Sequence, residues 1–260
     1  MAQSRKRNRK EKIDKHDEKV KRGHEQLAVD RKNKEFDNDW KMDWFEPQGQ
    51  QIFVEDSFLG HTFTIVDAPS GCGKSSMALW LALNGVKNQY FNKLIFIKSP
   101  TEVGDDAIGY LSGCESDKLL AHLQTTRYIF QEFISKQKLE ADENSGRIRL
   151  TIPNFLLGST FDYSVVVIDE TQLMSPETVK LLLERCGSQT KYLILGDSRQ
   201  RYAVKRRSDG FKDFIDKVTY LENDKRFSKF DHVGYVRMTT DENRRSEGSK
   251  FITKLYEGDI

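Results

Sequence analysis

The stretch from Phe63 to Leu81 constrains this chain more than any other. Phe63-Thr64-Ile65-Val66-Asp67 is a short run of β-branched, aromatic and apolar residues, the composition of a buried strand. It passes directly into Ala68-Pro69-Ser70-Gly71-Cys72-Gly73-Lys74-Ser75, and Ser76-Met77-Ala78-Leu79-Trp80-Leu81 then reads as a helix. A loop between a strand and a helix N-terminus turns backbone N–H groups toward an anion. Glycines such as Gly71 and Gly73 permit the unusual dihedrals and close approach this needs. The residues from Ala68 to Ser76 are therefore expected to cradle a phosphate chain. Lys74 would reach the β- and γ-phosphates, and Ser75 would ligate Mg²⁺. The competing reading, an ordinary βα turn with incidental glycines, is disfavoured because both flanking elements are in place.

Ala68 stands where the strict Walker A pattern has Gly. Cys72 lies beside Lys74 and a helix N-terminus, surroundings that lower a thiol pKa, although a passive small residue fits the position as well. Farther along, Val165-Val166-Val167-Ile168 is an apolar strand ending in Asp169-Glu170, which places two carboxylates at the sheet edge where the phosphate loop also opens. Asp169 is expected to hold the Mg²⁺ through water, and Glu170 to position and deprotonate an attacking water. Tyr192 to Leu195 leads into Gly196-Asp197-Ser198-Arg199-Gln200, where Gln200 is the candidate sensor of a γ-phosphate. Arg201, Tyr202, Lys205, Arg206 and Arg207 follow at once, a basic loop whose aromatic residue suits a single strand of nucleic acid, or simply a solvated surface.

These strands alternate with helical stretches, which predicts an α/β fold with a mainly parallel sheet. Strands are expected at Phe63 to Asp67, Leu94 to Lys98, Val165 to Asp169, Tyr192 to Gly196 and Val233 to Met238. Helices are expected at Lys74 to Leu83, Lys118 to Lys138, Pro176 to Arg185, Gly210 to Val218 and Ser246 to Tyr256. The 260 residues are 37% hydrophobic and 32% charged, against averages of about 45–50% and ~25%, so part of the chain lies outside any core. That part is the N-terminus: residues 1 to 40 hold 13 Lys or Arg against 9 Asp or Glu, leaving 29 against 31 elsewhere. Ile13, Val20 and Leu27 repeat every seven residues, but Gly23 interrupts and no second apolar position accompanies them. Residues 1–45 are read as a charged, disordered or loosely helical arm, either a tether for nucleic acid or a solubilising tail, and 46–260 as the ATPase domain. No apolar run reaches the ~18 residues of a membrane span, and no secretory signal is present. Three separated cysteines, Cys72, Cys114 and Cys186, form no metal-ligand or disulfide pattern. A cytoplasmic setting, in a bacterium or a phage-infected cell, follows as the expectation.

Ala68 to Ser75, Asp169-Glu170-Thr171-Gln172 and Gly196-Asp197-x-x-Gln200, in this order, resemble the PhoH-like ATPases, whose core is similar to the RecA-like domain of superfamily one helicases. The resemblance spans about Pro47 to Tyr256 and points to a three-layer P-loop NTPase of RecA-like type. It implies that Gln50, in Gln50-Gln51-Ile52-Phe53, contacts adenine. It also matches Pro100 to Gly113 to a proline- and glycine-bearing segment, Ser208-Asp209-Gly210-Phe211 to the step after the sensor, and Asp241-Glu242-Asn243-Arg244-Arg245 to Asp-x-x-Arg-His. Arg244 is then the arginine that reaches a γ-phosphate, across a subunit boundary. The family's Arg-Gly-Arg-Thr is replaced by Leu157-Gly158-Ser159-Thr160, which removes two cations. About 90 residues follow the acidic pair, enough for the sensor strand, one more strand and two helices but not for a second RecA-like lobe. A ring-like homo-oligomer, a hexamer, is expected to supply the missing face. The resulting expectation is an ATP-hydrolysing protein that works on single-stranded nucleic acid, RNA ahead of DNA, with no membrane partner. A nucleotide-gated binding module with slow hydrolysis is the alternative, a viral packaging ATPase the third reading and a small-molecule kinase the last.

Overall fold

A computed structural model describes residues 39–99, 115–156, 158, 160–200 and 209–257. The chain divides into two units, Met1–Lys41 and Met42–Ile260. The first is described only at residues 39–41, and the sheet and the helices belong to the second. The charged arm up to residue 38, the segment Pro100 to Gly113, the positions Leu157 and Ser159, and the basic run Arg201 to Arg207 all lie outside the described residues.

The regular elements are Gln50–Gly60 (α1), Phe63–Asp67 (β1), Lys74–Lys87 (α2), Lys93–Lys98 (β2), Glu115–Phe133 (α3), Lys136–Asn144 (α4) and Ile148–Thr151 (β3). Ser164–Asp169 (β4), Pro176–Leu183 (α5), Lys191–Gly196 (β5), Gly210–Val218 (α6), Thr219–Glu222 (β6), Lys225–Ser228 (β7), Val233–Arg237 (β8) and Glu247–Glu257 (α7) complete them. Six strands form one sheet in the order β3-β2-β4-β5-β1-β8. Every neighbouring pair in it is parallel, with Asp67 in register with Gly196 on one side and Arg237 on the other. The apolar runs explain this arrangement, since parallel strands need cover on both faces and all of β4 is buried. On one face Ile65, Ile97, Val166, Ile168 and Ile194 pack with Val179 and Leu182 of α5 and Phe211 and Ile215 of α6. Alternate residues point the other way, where α2 packs on β2, β4 and β5. The result is the expected three-layer α/β fold. Among the described residues no helix is long and apolar enough to cross a membrane.

β3 (Ile148–Thr151) joins the five expected strands and several element ends shift by a few residues, while three further differences change the set of elements. The single helix expected over Lys118 to Lys138 is two, because Ser135 starts a new helix: its Oγ accepts the Lys138 N–H at 3.1 Å. An unexpected helix, α1, precedes β1; two of its four buried residues are polar, Gln51 and Ser57, which blurs its apolar stripe. An unexpected hairpin, β6 and β7, stands between α6 and β8, so the region after the acidic pair holds more than one further strand. Asn223 and Asp224 at its turn have φ of 49° and 60°, the dihedral signs of a two-residue turn that matches strand twist. Trp44 and Phe45, at the composition change, are docked: the Trp44 ring stacks on Phe133 at 5.1 Å, its Nε1–H donates to the Glu132 carbonyl at 3.0 Å, and Phe45 lies 5.7 Å from Trp80. Replacement of the Ser135 cap by Ala is expected to lower unfolding free energy by about 1 kcal/mol in a urea titration, with an unchanged slope.

Candidate nucleotide site

The loop from Ala68 to Gly73 leaves the carboxyl end of β1 and enters α2 with Gly71 at φ 88° and Gly73 at φ 73°, a region that side-chain-bearing residues rarely occupy. A Cβ at Gly71 would sit 2.6 Å from the Asn243 side chain, so the dihedral disfavours any other residue there and a side chain would also displace the Asn243 amide. Ala68 is buried, its N–H donating to the Gly196 carbonyl at 2.9 Å, and Pro69 is buried beside it. Cys72 is also buried and its Sγ donates to the Thr239 carbonyl at 3.3 Å. Lys74 opens α2 and is 9% exposed; Ser75 and Ser76 follow, half-buried.

Ser75 Oγ donates to both oxygens of Asp169, at 3.1 and 3.3 Å, joining the first turn of α2 to the end of β4. Burial pushes the Asp169 carboxyl above the usual carboxylate range and the Glu170 charge adds to this, while Lys74, Lys98 and the Ser75 hydroxyl pull it part of the way back. Hydroxyl and carboxylate oxygens are hard donors that suit Mg²⁺. Among the described residues no group of three or more His, Cys, Asp or Glu side chains is placed to hold a metal; Ser75, with Asp169 acting through water, is the pair that would hold Mg²⁺ here. Glu170 adopts φ 54° and ψ 43°, a left-handed conformation that costs a residue with a side chain about 1–2 kcal/mol. Its backbone N–H donates to Asp169 Oδ1 at 3.0 Å.

Gln200 joins the same group. Gln172, two residues past Glu170, donates through Nε2 to Glu170 Oε2 at 2.7 Å and to Gln200 Oε1 at 2.8 Å. The neighbouring end of β1 carries a second polar cluster. Asp67, buried, accepts from Ser198 N (2.9 Å), Ser198 Oγ (2.8 Å) and the Tyr235 hydroxyl (2.8 Å), and pairs with Arg237. Burial and the Asp67 charge together push the Tyr235 hydroxyl well above its ordinary range.

The profile of the family described as PhoH-like protein matches residues 46–256. The chain belongs to this family. Among PhoH-like relatives, a protein of Synechocystis is 29% identical over 140 residues, covering 54% of this chain and 42% of its own. One from Bacillus subtilis is 28% identical over 132 residues, covering 51% and 41%. The matched stretch thus spans less than half the length of these curated relatives. Among solved structures, the ATPase domain of a Thermus phage large terminase superimposes with a TM-score of 0.50 at 12% identity, covering 83% of this chain and 90% of that one, a likeness of fold.

Two of the PhoH-like site positions lie differently from the rest. Gln50 lines a cleft of about 830 Å³ together with Phe53, Arg199, Phe227, Arg237 and Thr239, while its backbone N–H donates to Glu242 at 2.8 Å. The glutamine that touches the phosphate loop is its neighbour Gln51, whose Nε2 donates to the Cys72 carbonyl at 3.3 Å. Arg244 reaches Gln48 of its own chain, Nη1 to Oε1 at 3.0 Å, and its backbone N–H donates to the Gly71 carbonyl at 3.0 Å. The arginines near the missing pair are committed elsewhere, Arg147 to the Val86 carbonyl and Arg149 to the Phe155 carbonyl. Residues that sequence reasoning left without a role are Gln172, Asp67 and Asn243, whose Nδ2 donates to the Ser70 carbonyl at 3.2 Å. Only Gln172 carried a signal, its place just past the acidic pair.

A carboxyl whose folded pKa lies above its unfolded one binds its proton more tightly when folded, so stability falls as pH rises through the window between the two values. Asp169→Asn removes that loss. In nucleotide-free protein the variant is expected to melt at a higher temperature than wild type at pH 7, and the gap should close as pH falls below about 4. Scanning calorimetry across that range checks it.

Proposed function

We propose that this PhoH-like protein binds Mg-ATP and hydrolyses it while acting on single-stranded nucleic acid, RNA ahead of DNA, as a ring-like homo-oligomer of hexamer size. The observation that carries the hydrolytic part is the meeting of Ser75 with Asp169 at 3.1 Å, with Glu170 next in the chain, at the edge where the phosphate loop opens. Backbone N–H groups from Ser70 to Ser76 and the Lys74 ammonium bind the phosphates, the Ala68 N–H being taken by the Gly196 carbonyl and Pro69 having none. Ser75 and Asp169 would hold the cation, which would supply charge neutralisation to the phosphate chain. Glu170 takes a proton from water as the water oxygen bonds to the γ-phosphorus; the bond from that phosphorus to the bridging oxygen breaks, and ADP and inorganic phosphate result.

The nucleic-acid part rests on sequence. Arg201, Lys205, Arg206 and Arg207 surround Tyr202 directly after Gln200, and the arm from Arg5 to Lys10 is basic. The oligomer is supported by Arg244, which lies beside the phosphate loop and is exposed. A second reading, a nucleotide-gated binding module with slow turnover, is favoured by Leu157 and Ser159 at the positions of the family's two arginines.

Steady-state ATP hydrolysis separates the two. Wild type is expected to turn over ATP and to be stimulated by single-stranded RNA more than by DNA. Lys74→Ala and Glu170→Gln should each lower kcat by about a hundredfold or more. ATP binding without turnover that depends on Lys74 would select the binding module. A gel-filtration mass equal to the monomer, with and without ATP, would remove the ring.

A further inference from the structure

One buried amide connects the two sides of the hydrolytic site. Gln172 lies in the turn Thr171–Leu173 and is 8% exposed. Its carboxamide is engaged at both ends: Nε2 donates to Glu170 Oε2 at 2.7 Å and to Gln200 Oε1 at 2.8 Å, while Oε1 accepts the Asp197 backbone N–H at 3.3 Å. The amide has one workable orientation. Rotated by half a turn, its oxygen would face the Glu170 carboxylate and its N–H₂ the N–H of Asp197, so neither contact would be donor to acceptor. Glu170 is fixed from the backbone side as well, by its left-handed conformation and its N–H bond to Asp169.

We propose that Gln172 is a positioning residue that couples the sensor Gln200 to the hydrolytic carboxylate Glu170. The proposal rests on the reading of Glu170 as the group that deprotonates water. Three features fit the role. The amide is neutral, so it orients the carboxylate without cancelling its charge, as a lysine or arginine would. It binds only Oε2 and leaves Oε1 for a water. Its anchor on Asp197, the residue that follows β5, ties it to the strand end from which Gln200 is presented, so a displacement of Gln200 stretches the 2.8 Å bond and reaches Glu170 through one shared nitrogen. In sequence the basic run begins immediately after Gln200, so a polymer bound there would act on Gln200 first. Stimulation of hydrolysis would then pass through Gln172.

A double-mutant cycle on the full chain tests this, with kcat and KM for ATP, the affinity for a fluorescent ATP analogue and the melting temperature measured for each variant. Gln172→Met keeps the length of the side chain without its hydrogen bonds, and Gln172→Glu keeps only the oxygen that Asp197 needs. Each of these, and Gln200→Ala, is expected to lower kcat by about ten- to hundredfold while KM and nucleotide affinity stay within about twofold. Gln172→Met combined with Gln200→Ala should be no slower than the slower single variant, because the two residues act as one unit. A double variant whose loss is the product of the two single losses overturns the proposal, as does unchanged kcat in both Gln172 variants. Loss of nucleotide affinity in step with kcat also overturns it and leaves Gln172 a structural residue. Absence of Lys74-dependent turnover in wild type removes the hydrolytic reading and the proposal with it, whereas the other outcomes remove the proposal alone.

Discussion

All six strands of the sheet run in one direction, and this single constraint decides where chemistry can occur. Each segment leaving a carboxyl end opens on the same edge, so the loop after β1, the acidic pair after β4 and the glutamine after β5 converge. Ser75 and Asp169 are 94 positions apart in sequence and 3.1 Å apart in space for this reason alone. The same constraint brings Asp67, Asp169 and Asp197 together as three buried carboxylates at three adjacent strand ends. Their burial is compensated unequally. Asp67 receives two bonds from Ser198, one from Tyr235 and a guanidinium. Asp169 has a serine hydroxyl, one backbone N–H and the more distant influence of two lysines, and its charge is correspondingly costly. Two buried carboxylates, two strands apart in the same sheet, thus differ in how fully their charge is compensated.

What could be read from the sequence was what is local or continuous. Val165 to Ile168 announces a strand buried on both faces, and the phosphate loop is contained in eight successive residues, so neither needs distant information. The helix α1 escaped notice because Gln51 and Ser57 stand among its inward positions, and a pattern search takes them for surface. Gln51 is buried because it serves the Cys72 carbonyl, a partner 21 positions away. Gln172 was legible as the last residue of Asp169-Glu170-Thr171-Gln172 but not in its role, because two of its partners lie 25 and 28 positions away. The split at Ser135 and the hairpin turn at Asn223-Asp224 were visible in kind, as a cap and a turn pair, but each competed with a longer helical or irregular reading of its neighbourhood.

The segment after β8 gives the phosphate loop its outer wall. Met238 N–H bonds the Asp67 carbonyl, Thr239 accepts from Cys72, Asn243 donates to Ser70, and the Arg244 N–H donates to Gly71. With Gln51 on Cys72, the carbonyls of Ser70, Gly71 and Cys72 are all occupied by groups from outside the loop. An anion-binding loop needs its carbonyls turned away from the anion, and partners behind the loop favour that orientation before any nucleotide arrives.

This wall also sets an order of events during synthesis. Asn243 and Ser70 are 173 positions apart, and β1 must wait for both β5 and β8 before it has a neighbour on either side. Contacts of such separation form late, after the entropy of closing a long stretch of chain has been overcome. A nascent chain that already carries the entire Ala68 to Ser76 loop therefore still lacks the support that shapes it until residues beyond Arg244 have emerged. The backing of the loop is thus a property of the finished domain, complete only when its first strand and its last segment have met.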